Sequence, residues 1–316
     1  MDRWVRSLRP PKTLVTPDRP IAVVHEQERR LGGGLVEVST VFLAGSECPF
    51  SCVFCDLWRQ TLASPTQPGS LPRQLECALI EVPHRSVIKL YNASNFFDPI
   101  AVPTDDDPEL LRLLSGFSQV TVECHPRFIG ARCFAFAERL AGRLEVAVGL
   151  ETAHPEALSR LNKKMTLDDF NAATGELLAR RVGVRVFVLL GCPFIAAGEQ
   201  LDWTLRSVEY AARRGAGVIS IIPVRGGNGA LESLAADGAW SLVSLDLVEE
   251  TFERALRLGL ENTIVQVDLW ELDRLASCGH CVNARLARLG AMNRTGVLLA
   301  QTTCTRCGVG TERNRS

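Results

Sequence analysis

The sequence predicts an α/β protein whose strands form one parallel sheet, and three features lead there. Six short β-branched apolar runs recur along the first 226 residues. Amphipathic, helix-compatible stretches separate most of them, and the unit repeats roughly every 25 to 35 residues. A (β/α) barrel and a doubly wound sheet both satisfy this pattern.

In chain order, residues 1–35 form an N-terminal extension. Its triple glycine, Gly32 to Gly34, has no following Lys-Ser/Thr and reads as a flexible entry, not a phosphate loop. The strands fall at "VEVSTVFLA" (36–44), "SVIKLYNA" (86–93), "QVTVECH" (119–125), "LEVAVGLE" (144–151), "VRVFVLLGC" (184–192) and "GVISIIPV" (217–224), placing the repeating core at 36–230. Between them, "DPELLRLLSGF" has apolar residues at helical spacing, and "LDDFNAATGELLARRVG" ends on Gly183 as a helix stop. Residues 63–72, "ASPTQPGSLP", read as a loop. Past Gly229 the pattern changes to two helical stretches and a further strand, "NTIVQVDLW", which make an extension at 231–273. A soft boundary near residue 270 leads to a basic, cysteine-rich tail at 274–316.

With 316 residues, 46% hydrophobic and 22% charged, the chain can bury a large core. No apolar run reaches the 18 or so residues of a membrane span; "VGVRVFVLLGCPFIAAG" is broken by Arg185 and glycines. The N-terminus "MDRWVRSLRPPKTL" has no apolar h-region, so a cytoplasmic location with no membrane partner is expected. In that reducing compartment eleven cysteines are not a disulfide framework, and their tight clusters point to metal ligation. The unclustered Cys77, Cys124, Cys133 and Cys192 read as small buried hydrophobes. The net charge of −1 hides an asymmetry: from Arg274 onward seven arginines face Glu312 alone, a local +6. A tail of that sign suits a polyanion or a solvated surface.

The stretch "ECPFSCVFCDLW" sets Cys48, Cys52 and Cys55 at a CxxxCxxC spacing directly after the first strand, where a βα barrel places its chemistry. A 4Fe-4S cluster takes four thiolates, so three leave one iron open to a ligand. Such an iron can bind the amino and carboxylate groups of S-adenosylmethionine, whose reductive cleavage gives a 5′-deoxyadenosyl radical. The competing reading is a three-cysteine zinc site completed by His84 or His125. Cys48, Cys52 and Phe54-Cys55 together resemble the first motif of the radical S-adenosylmethionine superfamily. The resemblance covers residues 36–226 and implies a partial (β/α)6 TIM-like barrel with the cofactor across the C-terminal strand ends.

Each later strand ends on small or polar residues, as an active-site rim does. Asn92 and Ser94 in "YNASNFFDP" fall where the family often has a Gly-Gly-Glu turn against the cofactor's amino group. "ECHP" resembles the Glu-Ser/Thr-Arg-Pro motif of the tRNA-modifying branch, retaining Glu123 and Pro126. His125 replaces its arginine and is a candidate catalytic residue or a neutral histidine bound to backbone. In "GLETAHPEALSRLNKKMT", Glu151 and Thr152 are implied at the cofactor's ribose or methionine end, with Lys163 in an arginine-like position. Gly191 and Pro193 match a Gly-x-Pro turn near the adenine, and Arg225 in "PVRGGNG" is a second catalytic candidate.

Cys278, Cys281, Cys304 and Cys307 form CxxC, 22 residues and CxxC, which reads as zinc, a second iron-sulfur cluster or free thiols. The layout is similar to the archaeosine-biosynthesis radical proteins, relatives of the Elongator catalytic subunit, through "CPFSCVFCDLW", "IKLYNASNFFDP", "VAVGLETAHPEAL" and the terminal knuckles. That resemblance implies hydrogen abstraction at a modified 7-deazaguanine in tRNA. The implied partners are a reductant such as ferredoxin or flavodoxin, the tRNA and a partner subunit. A radical enzyme for a small molecule or peptide, and a non-enzymatic zinc module, are the alternatives.

Overall fold

The computed structural model describes residues 1–82 and 87–310. His84 and the start of the second expected strand, Ser86, lie outside them. Among the described residues eight strands follow one another across a single sheet: β1 (Ala22–Arg29), β2 (Leu35–Phe42), β3 (Val87–Tyr91), β4 (Gln119–Glu123), β5 (Arg143–Glu151), β6 (Gly183–Leu190), β7 (Val218–Pro223) and β8 (Ile264–Val267). β1 is antiparallel to β2 and every other pair is parallel. The sheet curves into a half-barrel, which resolves the barrel and doubly wound alternatives in favour of the barrel.

The helices are α1 (Asp2–Ser7), α2 (Ser70–Leu79), α3 (Asp107–Leu114), α4 (Ala131–Arg139), α5 (Pro155–Arg160), α6 (Leu167–Ala179), α7 (Gln200–Arg213), α8 (Ala230–Ala236), α9 (Leu245–Arg257) and α10 (Val282–Thr295). Among the described residues no helix is long and apolar enough to cross a membrane. Strand residues alternate between faces as a pleat requires. Ile88 and Leu90 are fully buried in the core against the helices, while Lys89 points into the lumen. There Glu28 of β1 meets Lys89 of β3 at 2.5 Å and Arg185 of β6 at 2.8 Å, and Arg185 also holds Glu145 at 2.9 Å. Residues so distant in the sheet meet only across its concave side. Above this charged floor Tyr91 sits edge-on between Phe42 and Phe187, with centroids at 6.0 and 6.4 Å.

All seven expected strands exist, but β1 was not anticipated. Its "AVVHEQER" is largely charged or polar, and Gly32 to Gly34 form the hairpin turn into β2, each at positive φ, instead of a loose entry. α6 starts on a capping box between Thr166 and Asp169. It stops at Ala179, not at Gly183: Arg181 takes the left-handed conformation and Gly183 opens β6. Of the four unclustered cysteines Cys124, Cys133 and Cys192 are buried, and Cys77 is half-buried on α2.

α10 packs on both outer strands, β1 and β8. Its Asn293 donates to Val267 O at 2.8 Å and accepts from Val267 N at 2.9 Å, replacing a missing strand neighbour.

Candidate active site at the barrel mouth

The loop after β2 carries Cys48, Cys52 and Cys55 and is held from three sides. Asn162 Nδ2 donates to Ser51 O (2.8 Å), Asn228 Nδ2 to Val53 O (2.8 Å), and Arg6 Nε to Ser51 Oγ (2.9 Å). Val53 N reaches Leu161 O at 3.0 Å. Burial raises all three free thiols, Cys52 to about 12, so deprotonation here requires a metal partner. Three half-buried thiols on one loop suit a cluster whose irons are ligated one each.

His125 does not complete a zinc site. Its Nδ1 accepts from Arg127 N (3.1 Å), so Nε2 carries the proton and donates to Lys163 O (3.0 Å). Burial, with Lys163 nearby, holds it neutral with a pKa near 3. The histidine is a support bound to backbone, with Phe50 stacked at 4.1 Å. Its own N–H donates to Asn95 Oδ1 (2.7 Å), and Asn95 Nδ2 donates to Cys48 Sγ (3.3 Å). Asn95 was missed in the sequence reading, although it stands one residue past Ser94.

Asn92 and Ser94 lie on a turn whose centre, Ala93, has φ 54°. Glu123 Oε1 accepts from Asn92 N at 2.9 Å and its carboxylate also takes the amides of Ala93 and Ser94. Burial pushes Glu123 up to about 7 despite these bonds. Its place is behind the turn. Both amide atoms of Asn92 and the Ser94 hydroxyl are buried without a partner, a deficit that native interiors rarely keep unless a ligand meets it.

At the end of β5 a bulge between Gly149 and Glu151 swings Glu151, φ 67°, toward Lys163, with Nζ to Oε1 at 2.6 Å and both side chains buried. Despite burial, which opposes the charged form, Glu151 keeps Lys163 protonated. Thr152 lies behind this pair and its Oγ1 accepts from His154 N (3.1 Å). Gly191, φ 83°, donates its N–H to Gln200 Oε1 (3.0 Å) and accepts from Trp240 Nε1 (2.8 Å). Arg225 pairs with Asp268 of the β8 end.

The sulfurs of Cys278, Cys281, Cys304 and Cys307 lie within 4.8 Å of one another, with Cys281 and Cys307 at 3.7 Å. This group can hold a metal ion. Two tail arginines are not free for a polyanion: Arg285 bonds Glu249 and Asp246, and Arg288 bonds Glu253 at 2.6 Å and Leu299 O at 2.7 Å, both guanidiniums buried.

No protein-family profile matches the sequence, nor does any curated protein. Its eight-stranded half-barrel is shared with a solved structure. In particular, the chain is similar to Elp3 of the archaeon Methanocaldococcus infernus with residues 1–46 deleted, at 14% identity and a TM-score of 0.52, covering 74% of this chain and 59% of that one. HemN, a coproporphyrinogen III oxidase and radical SAM enzyme from Escherichia coli, aligns at 14% identity and a TM-score of 0.45 over 73% of this chain and 54% of its own. TsrM, a radical S-adenosylmethionine methyltransferase from Kitasatospora setae, aligns at 18% identity and 0.42 over 58% and 35%. The chain thus spans just over half of the Elp3 and HemN chains.

Proposed function

We propose that this chain is a radical S-adenosylmethionine enzyme, and one observation carries the reading. Three free cysteine thiols at a CxxxCxxC spacing share the barrel mouth with the Glu151–Lys163 pair and the unpartnered Asn92 and Ser94. These residues fit the cofactor: Cys48, Cys52 and Cys55 would hold the 4Fe-4S cluster, and Asn92, Ser94, Glu151 and Lys163 would meet S-adenosylmethionine. When bound, that pair supplies a 5′-deoxyadenosyl radical able to take hydrogen from unactivated carbon.

The protein's part is positioning. Lys163 offers a cation to the cofactor's carboxylate while Glu151 keeps it charged and aimed. Asn95 steadies the Cys48 sulfur, and Glu123 fixes the 92–94 turn from behind.

The substrate reading is a 7-deazaguanine base in tRNA, losing hydrogen from an attached side chain so that a C–N bond breaks; the likeness to the archaeosine branch supports it. A ferredoxin or flavodoxin would supply the electron, and a partner subunit is part of the same reading. For the four tail cysteines we assign zinc. Their sulfurs crowd within 4.8 Å, and Zn–S bonds of about 2.3 Å place sulfurs about 3.8 Å apart, close to the 3.7 Å of Cys281 and Cys307.

The test is anaerobic reconstitution with iron and sulfide, reduction, addition of S-adenosylmethionine, and measurement of 5′-deoxyadenosine beside a Cys52→Ala control, with and without bulk tRNA. The expected result is product in the wild type alone, stimulated by tRNA, with one zinc per chain in both proteins. Equal product in the control would refute the chemistry. Product indifferent to tRNA would move the substrate to a small molecule or peptide.

A further inference from the structure

Asn162, Asn228 and Arg6 brace the cysteine loop through its carbonyls and a hydroxyl, whereas Asn95 alone, among the described residues, donates from its side chain to a sulfur of the loop. Asn95 is 3% exposed and its surroundings are fastened: Phe96 N donates to Glu123 O (3.0 Å), and Asp98 N to Asn95 O (3.1 Å). The two ends of a carboxamide have the same shape, but the chemistry tells them apart here. The backbone N–H of His125 can only donate, so at 2.7 Å it meets the oxygen, and the NH2 end is left facing Cys48 Sγ at 3.3 Å. Turning the amide over would set N–H against N–H. The histidine cannot yield either, because both of its ring nitrogens are bonded.

The three sulfurs are therefore not equivalent. Backbone N–H groups of Phe50 and Leu57 reach Cys48 and Cys55, but only Cys48 has a side-chain donor as well. A sulfur that ligates iron shares the charge of its cluster, and an added electron makes that charge more negative. An N–H aimed at the sulfur stabilises the reduced form more than the oxidised one, which raises the reduction potential. The histidine that fixes Asn95 also donates to Lys163 O (3.0 Å), while Lys163 Nζ is held by Glu151 (2.6 Å). The donor to the sulfur and the cation offered to the cofactor thus hang from one mount.

We infer that Asn95 is a redox-tuning residue: its amide, locked by His125, holds the potential of the cluster above the value that the cysteine loop would set by itself. It acts through Cys48 and is a positioning residue, not a catalytic one. The inference rests on the radical-enzyme reading, but its test needs neither S-adenosylmethionine nor substrate. The full chain and two variants are reconstituted with iron and sulfide, their iron content is measured, and the midpoint is read by EPR at a series of poised potentials.

Asn95→Leu removes the donor without adding charge. Asn95→Asp, which keeps an oxygen for the His125 N–H and so favours folding, has no donor to give at about pH 8, where a carboxyl is ionised. Both are expected to take up iron as the wild type does. At a fixed potential each should lower the ratio of reduced to oxidised cluster about tenfold, a midpoint shift of about 59 mV for a one-electron couple. A wild-type midpoint in Asn95→Leu would overturn the inference, since charge alone would then explain any shift in Asn95→Asp. A wild-type midpoint in Asn95→Asp would overturn it too, and this variant decides if Asn95→Leu fails to hold iron. Loss of the cluster from both would make Asn95 part of the scaffold and end the tuning role. A wild type that takes up no iron would instead remove the radical reading, which separates that failure from this one.

Discussion

Gly149 has no room for a side chain. A Cβ there would overlap Glu151 Oε1 and sit 2.6 Å from Lys163 Nζ. Gly149→Ala is therefore expected to drive the pair apart and destabilise the fold by about 1–3 kcal/mol. The loss should show both in urea unfolding and as weaker S-adenosylmethionine binding by equilibrium dialysis. Unchanged cofactor affinity would remove Glu151 and Lys163 from the binding site. At this scale the three cysteines were legible because their spacing is local. Asn95 and the bonds of Glu123 to the 92–94 turn were not foreseen, because they depend on β3 and β4 lying side by side in one register.

α10 is an element whose sequence misleads. Arginines at positions 285 and 288 read as a solvated basic surface, yet they are the helix's buried anchors on α9. Burial of an arginine depends on where Glu249 and Glu253 sit, and the local sequence holds no record of that. Arg288→Met strips Glu253 of its buried cation, leaving it only the exposed Arg257, and frees the Leu299 carbonyl. A loss of about 3–5 kcal/mol in denaturant unfolding is expected, with the salt dependence of RNA binding unaltered. A flattened salt slope in that variant would restore the polyanion role. The strands, by contrast, were legible as elements: the parallel strands are β-branched and mostly apolar, with Lys89, Glu145 and Arg185 turned to the lumen, and β1, antiparallel and partly exposed, is the exception that escaped notice.

Across the whole molecule, the lumen floor ties β1, β3, β5 and β6 together by charge. Burial by itself would raise Glu28, but Arg185 and Lys89 outweigh it and hold its carboxyl down at about 2. A depressed carboxyl stabilises the fold above its unfolded pKa, near 4.5, and that contribution is lost as pH falls from about 4.5 through about 2. The amount is on the order of 3 kcal/mol. Glu28→Gln should lower stability at pH 7 and flatten its fall between pH 5 and roughly 2. An identical pH profile in the variant would show that the floor contributes packing and no electrostatics.

The seam between β1 and β8 is closed by α10, which lies far along the chain from β1. During synthesis the first strand pair therefore emerges with one unsatisfied edge, and β8 later adds a second. Both remain open until α10 has left the ribosome and docked. A nascent chain in that interval offers two templates for pairing with a neighbouring chain. The polar "HEQER" of β1 makes its edge a poor one to join, so the same charges that hid the strand from sequence reading also guard it while the barrel waits for its last helix.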